Sequence, residues 1–289
     1  MADKSVAFPL VQTGNTRVRR FLRRKSAVCG LVFLLLLLFI AVFSDVLIDY
    51  EAVVAQDIDH AFAPVSREHP FGTDELGRDL FSRVLYGTRY SLLIGAGATL
   101  LSVAVGVPLG ALAGYFGGMA EQIVMRITDI FSALPSMLTA MAIVAVLGAS
   151  PGKLVLAVGI SGIPLFVRVT RGAVLEQCGS DYVEAERSMG AGDLRILLVH
   201  VMPHAFGPVL VQMSLRVGSA ITAASGLSFL GLGLGAPLPE WGALLSAGRG
   251  FIRTHGSLCF FPGFMITLTV LSLNLLADGL RDALDPKLS

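Results

Sequence analysis

His200 and His204 stand four residues apart, the spacing at which one helix face could offer two nitrogens to a divalent metal. Pro203 interrupts that turn and no third ligand is near in sequence, so the pair reads as interfacial histidines where a helix begins. The stretch Gly148–Leu154, GASPGKL, brings up two further chemistries. As a phosphate cradle, G-x-x-x-x-G-K-[ST], it is one residue short, and Leu154 stands where Mg²⁺ would need a hydroxyl. As the G-x-S-x-G elbow of a hydrolase it would place Ser150 between a strand and a helix. Pro151 also removes a backbone N–H that usually serves the oxyanion hole. Cys29, Cys178 and Cys259 lie far apart with no C-x-x-C pair, so neither a disulfide nor a zinc site is expected. His60 and His69, with Asp57, Asp59 and Glu68, could form a weak metal site, although a solvated acidic loop is the commoner arrangement. The reading at this level is no catalytic residue, no resident metal and no cofactor bound by this chain.

Arg216 is a different kind of signal. It falls inside an apolar stretch, where a charge costs several kcal/mol unless it faces a cavity, a partner or the interface. Gln212 lies one turn before it and Ser219 further along the same side. One reading has this face lining a pathway or a contact with another membrane subunit; the other has Arg216 buried structurally against helix-end carbonyls. Asn274 is a weaker candidate of the pathway kind. Arg126 and Asp129, at i and i+3, are expected to pair with each other.

The elements that must carry these residues follow from composition. Of 289 residues, 54% are hydrophobic and 15% charged, with a net charge of +1. That excludes a disordered chain, a disulfide-rich secreted scaffold and an electrostatic nucleic-acid binder. Crossing the hydrocarbon takes roughly 20 mostly apolar residues. The charge-free intervals predict six spans, near 27–46, 90–113, 128–148, 154–170, 207–230 and 258–277. The first could be a cleaved signal sequence, but its long uncharged run and the lack of a small-x-small site favour a retained helix. The fold class is thus an all-α polytopic membrane protein.

Lys and Arg are about twice as frequent on one side of these spans, in 1–25, at Arg126, in 168–195 and at Arg281 and Lys287. Both termini are therefore expected in the cytoplasm. Residues 1–25 form a basic cytoplasmic tail, 26–289 a transmembrane domain, 45–88 an acidic outside loop and 171–204 a cytoplasmic loop. The GTDELGRD core of the outside loop, with glycines at 72 and 77, predicts tight turns held by side-chain carboxylates. Gly95, Gly106, Gly110 and Gly114 give span two small-residue faces for close packing. Span four, with Gly159, Gly162 and Pro164, reads as short and interruptible.

The most informative stretch is DYVEAERSMGAGDLRILLVHVMP, 181–203. Asp181 and Glu184 have capping-box spacing, Gly190 can end the helix in the left-handed conformation, and Asp193 can cap a second short helix. Leu194, Leu197, Leu198 and Val201 would form that helix's apolar face, with Pro203 at its end or at the entry to span five. The segment resembles the EAA loop of ABC-importer permeases: Glu184, Ala185, Gly190 and Pro203 fall on its pattern. Glu186 stands where the pattern has a third Ala, His200 where it has Ile, and Met202 where it has Leu. Three further blocks, HPFGTDELGRDLFSRVLYGTRYSL (69–92), GLSFLGLGLGAPLPEWGALL (226–245) and NLLADGLRDALDP (274–286), resemble the C-type subunit of the dipeptide/oligopeptide/nickel permease family.

The resemblance implies a type I ABC-importer permease with six transmembrane helices in a bacterial cytoplasmic membrane. Its partners would be a B-type second permease, two cytoplasmic ATPases that carry the ATP and Mg²⁺, and an extracytoplasmic substrate-binding protein. Carried over by position, Glu184, Ala185 and Gly190 would shape the surface that docks on an ATPase, and Glu186, Asp193 and Pro203 of the same loop are further coupling candidates. Glu186 would then need a basic partner, on the ATPase or at Arg187 or Arg195. Gln212, Arg216, Ser219 and Asn274 are the pathway or permease-interface candidates. Peptides are the expected cargo, with nickel or a metallophore as the alternative. The rival from another class, a stand-alone secondary transporter, would need intramembrane acids or an inverted repeat.

Overall fold

A computed structural model describes residues 14–284 of the chain, with side chains from Val18 onward. Residues 1–13 of the expected basic tail, and Pro286 and Lys287, lie outside the described residues. Helices α1 (Gly14–Arg23), α2 (Lys25–Leu47) and α3 (Tyr50–Val54) precede a 3₁₀ turn at Ile58–His60. Then come α4 (Leu80–Phe116), α5 (Gly118–Ala133), α6 (Ser136–Leu147) and α7 (Pro151–Cys178). Two short helices, α8 (Asp181–Ser188) and α9 (Asp193–Arg195), lead through a π-helical turn, Ile196–Val201, into α10 (Met202–Phe229). The last elements are α11 (Trp241–Gly248), a 3₁₀ turn at Arg249–Phe251 and α12 (Ser257–Leu284). Among the described residues the only extended pairing is an isolated bridge between Thr73 and Asp79.

Five helical runs are long and apolar enough to cross a membrane: α2, α4, α7, the continuous run from α9 through α10, and α12. Helices α5 and α6 pass the same test as a pair bent by 82°, and counted as one crossing they bring the number to six. The single unbroken span expected over 128–148 is instead two arms meeting at this bend. Pro135 explains the difference: it has no N–H to donate, and it pushes the residue before it out of the helical region. Leu134 accordingly sits at φ −96°, ψ 139°.

The other spans exist where expected but overrun their charge-free intervals. Helix α4 starts at Leu80, with Asp79 accepting from the Ser82 N–H at 2.7 Å. Helix α7 is neither short nor interrupted. It runs 28 residues through Pro164, with Phe166 and Val167 buried just beyond it. What holds it is α4, packed along it at glycine distances. A Cβ on Gly110 would lie 2.5 Å from the Val167 carbonyl, and one on Gly159 would lie 2.5 Å from Leu101 Cδ2. Contacts this short let the backbones themselves touch, which is how helices associate where lipid removes the hydrophobic drive.

Helix α2 buries one stripe, Ala27, Gly30, Leu37, Ala41 and Ser44, packs Phe33 and Leu34 beside it, and leaves Val32, Leu35, Leu36, Leu38, Phe39 and Val42 exposed. It is packed into the bundle, since a Cβ on Gly30 would meet the Ser272 carbonyl of α12 at 2.8 Å. Trp241, fully buried, closes one end of the bundle. Its indole N–H reaches the Val84 carbonyl at 2.9 Å, and its backbone N–H reaches Ser91 Oγ at 3.2 Å.

Candidate functional site

The loop after α7 is built on its apolar underside. Val183 of α8 and Ile196, Leu197 and Val201 of the π turn are buried together with Ala111 and Tyr115 of α4 and Ala173 and Val174 of α7. Two polar contacts join the same surfaces. The Tyr115 hydroxyl donates to Asp193 Oδ1 at 2.9 Å, and the Arg187 guanidinium lies 5.6 Å from the centre of the Tyr115 ring. Asp193 is therefore a tertiary anchor and does not cap α9, which Gly192 precedes without a side-chain bond. The capping box is absent too. Ser180 occupies the flanking position, Asp181 is already helical, and Ser180 Oγ turns back to the Gln177 carbonyl.

Gly190 ends α8 as expected. It takes φ +82°, where its N–H bonds the Arg187 carbonyl and the next N–H bonds that of Glu186, at 3.0 and 3.1 Å. Past it, Pro203 stands at the entry to span five, the second of its two expected places, in the first turn of α10. The wide π turn just before it fits this placement, because Pro203 can donate to no earlier carbonyl. His204 Nδ1 donates to the His200 carbonyl at 2.9 Å, so that ring atom serves the backbone. His200 Nε2 lies 3.6 Å from Glu186 Oε1. Within this chain the group that approaches Glu186 is thus His200, across the loop, in place of Arg187 or Arg195.

The expected apolar face of the second short helix is split. Leu197 and Val201 pack inward, while Leu194 and Leu198 are each 64% exposed beside Met189 at 73%. Glu184, Ala185 and Pro203 are exposed on the same loop.

The membrane-embedded candidates separate in the same way. Ser219 and Asn274 are exposed and, with Thr222, Met137, Leu215 and Val270, line an open groove of about 560 Å³ between α6, α10 and α12. Gln212 is partly buried and outside that lining. Arg216 turns the other way, 8% exposed. Its Nη2 donates to the Val158 carbonyl of α7 at 2.7 Å and its Nη1 to Ser219 Oγ at 3.2 Å. The structural burial expected of Arg216 is what is seen, although the carbonyl it meets is not at a helix end. It is bolted to a mid-helix carbonyl, and it stands directly behind a groove residue. Asp129 bonds Arg168 at 2.9 Å across to α7, in place of the Arg126 pairing expected along one helix.

The loop before α4 forms its turns on one carboxylate. Asp74 Oδ1 accepts from the Leu76 and Arg78 N–H groups at 2.9 and 3.0 Å, and Oδ2 accepts from Arg78 Nε at 2.7 Å. Gly77, at φ +73°, leaves no space for a side chain, since a Cβ there would fall 1.6 Å from the Asp57 carbonyl. The two loop histidines are divided between carboxylates: His60 with Asp57 at 2.8 Å and His69 with Asp79 at 3.0 Å. The Asp57 contact raises the His60 pKa above its usual 6.5, while His60 holds Asp57 below the usual carboxylate range.

Sequence reasoning missed Tyr115, a lone tyrosine at the end of a small-residue span, and Glu240. The latter is 1% exposed and accepts from the Gly242 and Ala243 N–H groups and from the Ser228 hydroxyl. Its position just before the α11 apolar run is the signal that could have found it.

Comparison with known proteins extends over the whole bundle. Residues 106–289 match the family described as binding-protein-dependent transport system inner membrane component. Residues 16–64 match the N-terminal TM domain of oligopeptide transport permease C. The chain is 45% identical over 286 residues to the glutathione transport system permease protein GsiD of Pectobacterium atrosepticum, covering 99% of this chain and 94% of that protein. It is 44% identical over 274 residues to the di/tripeptide transport system permease protein DppC of Pseudomonas aeruginosa, covering 93% and 90%. An inward-facing crystal structure of the MetNI methionine ABC transporter shares the fold, with a TM-score of 0.59 at 16% identity over 70% of this chain and 96% of that one.

Proposed function

This chain belongs to the binding-protein-dependent transport system inner membrane component family, and on that premise we propose that it forms half of an import pathway for short peptides. The size class is that of the glutathione and di/tripeptides named for its relatives. It is a membrane permease subunit of an ATP-binding-cassette importer and not itself an enzyme. Completing the machine would take a B-type permease, two cytoplasmic ATPases holding ATP and Mg²⁺, and an extracytoplasmic binding protein. Both termini would lie in the cytoplasm, and residues 26–289 would act as one permease domain.

Coupling would run through the loop at 181–203. One observation carries this part of the reading: a loop fixed to α4 and α7 by a buried underside presents a bare apolar outer face, Met189, Leu194 and Leu198. An apolar surface on a rigid mount outside the hydrocarbon suits docking on a protein partner. Closure of the ATPases on nucleotide would push this mount as a body and shift the bundle between two pathway states. Glu184, Ala185, Glu186 and Gly190 shape the docking face; Asp193 and Pro203 fix it to the bundle.

Gly190→Val tests the assignment. Its φ of +82° strains any β-branched residue, although the surrounding space is open. In the reconstituted importer, uptake of a labelled dipeptide and peptide-stimulated ATP hydrolysis are both expected to fall by about tenfold or more, the variant still inserting in the membrane. Unchanged uptake and hydrolysis would overturn the coupling role of the loop.

A further inference from the structure

The guanidinium of Arg216 is a fixed positive charge at the middle of α10, and arginine keeps its proton in proteins. Among the described residues its hydrogen-bond partners are neutral, the Val158 carbonyl and Ser219 Oγ, and its buried Nε has none. The space for it is built in: a Cβ on Gly162 of α7 would lie 2.6 Å from Nε and 2.7 Å from Nη2. A neutral donor could bond one carbonyl and one hydroxyl equally well, without the cost of burying an uncompensated cation. Retaining the charge makes physical sense if an anion comes within its reach.

The groove supplies the place. Ser219 Oγ accepts from Arg216 Nη1 at 3.2 Å on one side and lines the groove on the other. Its own hydrogen goes to the Arg216 carbonyl at 3.0 Å, and a hydroxyl rotor can swing from there toward a ligand. A hydroxyl already held by a cation is a stronger donor than a free one. The groove's other polar side chains, Thr222 and Asn274, are neutral, and its lining includes no acid that would cancel the field.

We propose that Ser219, backed by Arg216, is a carboxylate-binding position in the pathway, so that the groove favours cargo with a free carboxylate and disfavours bare divalent cations. This rests on the peptide-import reading and narrows it. At an effective dielectric constant of about 20, a unit charge roughly 8 Å from a carboxylate changes its occupancy by more than about tenfold.

The test compares uptake of a labelled dipeptide with uptake of its C-terminal amide, in the complete reconstituted importer with one and the same binding protein. Any preference of the binding protein then cancels between permease variants. Arg216→Gln is expected to lower the acid-to-amide uptake ratio by about tenfold or more, and Arg216→Lys to restore most of it. Ser219→Asp places a carboxylate beside the guanidinium, and is expected to lower the ratio similarly even if Arg216→Gln fails to assemble. A ratio unchanged in Arg216→Gln or in Ser219→Asp would overturn the proposal and leave Arg216 as a structural bolt. So would an Arg216→Lys ratio as low as that of Arg216→Gln. Peptide import itself is read from the wild-type importer: if that carries Ni²⁺ and no dipeptide, the function reading fails first, independently of the variants.

Discussion

The carboxylate of Glu240 shows how a single residue can hold an end of this bundle. It accepts the Gly242 and Ala243 N–H groups at the start of α11 and the Ser228 hydroxyl near the end of α10, all at 2.8–2.9 Å. A buried carboxylate with three donors is well compensated, whereas the donors left by its removal are not. Glu240→Ala is expected to destabilise the folded subunit by about 2–3 kcal/mol, with Glu240→Gln recovering part of the loss. Denaturant unfolding of the purified subunit in mixed micelles measures this, and a loss within experimental error would mean that Trp241 alone secures α11. Asp74 is the counterpart in the loop before α4, where one buried carboxylate organises two turns.

At the scale of the element, the bend between α5 and α6 is the feature with the clearest local cause. If Pro135 produces it, Pro135→Ala lets the backbone continue and the two arms straighten. Spin labels at positions 123 and 146, both exposed on the two arms, should then move apart by about 5–10 Å. No change in distance would assign the bend to packing instead.

The same bend marks where the sequence stops being readable. Charge-free intervals fall on all five long apolar runs and on the bent α5–α6 pair, because they record the hydrocarbon, which tolerates few charges. They could not find helix ends, because a helix continues into water as readily with charged residues as without. Hence α4 begins at Leu80 and α7 ends at Cys178, well outside the predicted spans 90–113 and 154–170. In the loop, the left-handed Gly190 was legible since its chemistry is local. The role of Asp193 was not, because its partner Tyr115 is 78 residues away and nothing local distinguishes a cap from an anchor. Ser219 and Asn274 were singled out as polar residues in apolar spans, and the fold brings both to one groove. Their neighbour Thr222 carries no such contrast in a stretch already rich in small residues.

For the molecule as a whole, the sidedness of its basic residues sets the orientation proposed above, and it can be tested directly. With Cys29, Cys178 and Cys259 replaced by alanine, a membrane-impermeant maleimide should label Ile58→Cys in right-side-out vesicles. Leu194→Cys should be labelled only in inverted ones. Both side chains are well exposed, so accessibility depends on the side of the membrane and not on burial. The reverse pattern would invert the topology and remove the loop at 181–203 from any contact with cytoplasmic ATPases.

Helix α4, at 37 residues, is about 55 Å long against roughly 30 Å of hydrocarbon. One of its ends receives the Trp241 indole at Val84, and the other holds the loop at 181–203 through Tyr115. An unbroken helix of this length behaves as a strut, with Pro108 the only interior place where its hydrogen-bond ladder lacks a donor. Under the proposed coupling, a displacement at the loop would therefore reach the far end of the helix in the same stroke, with little slack to absorb it. If the loop couples as proposed, such a linkage would discourage both ends from being open together, and that would keep the pathway from leaking protons and ions between turnovers.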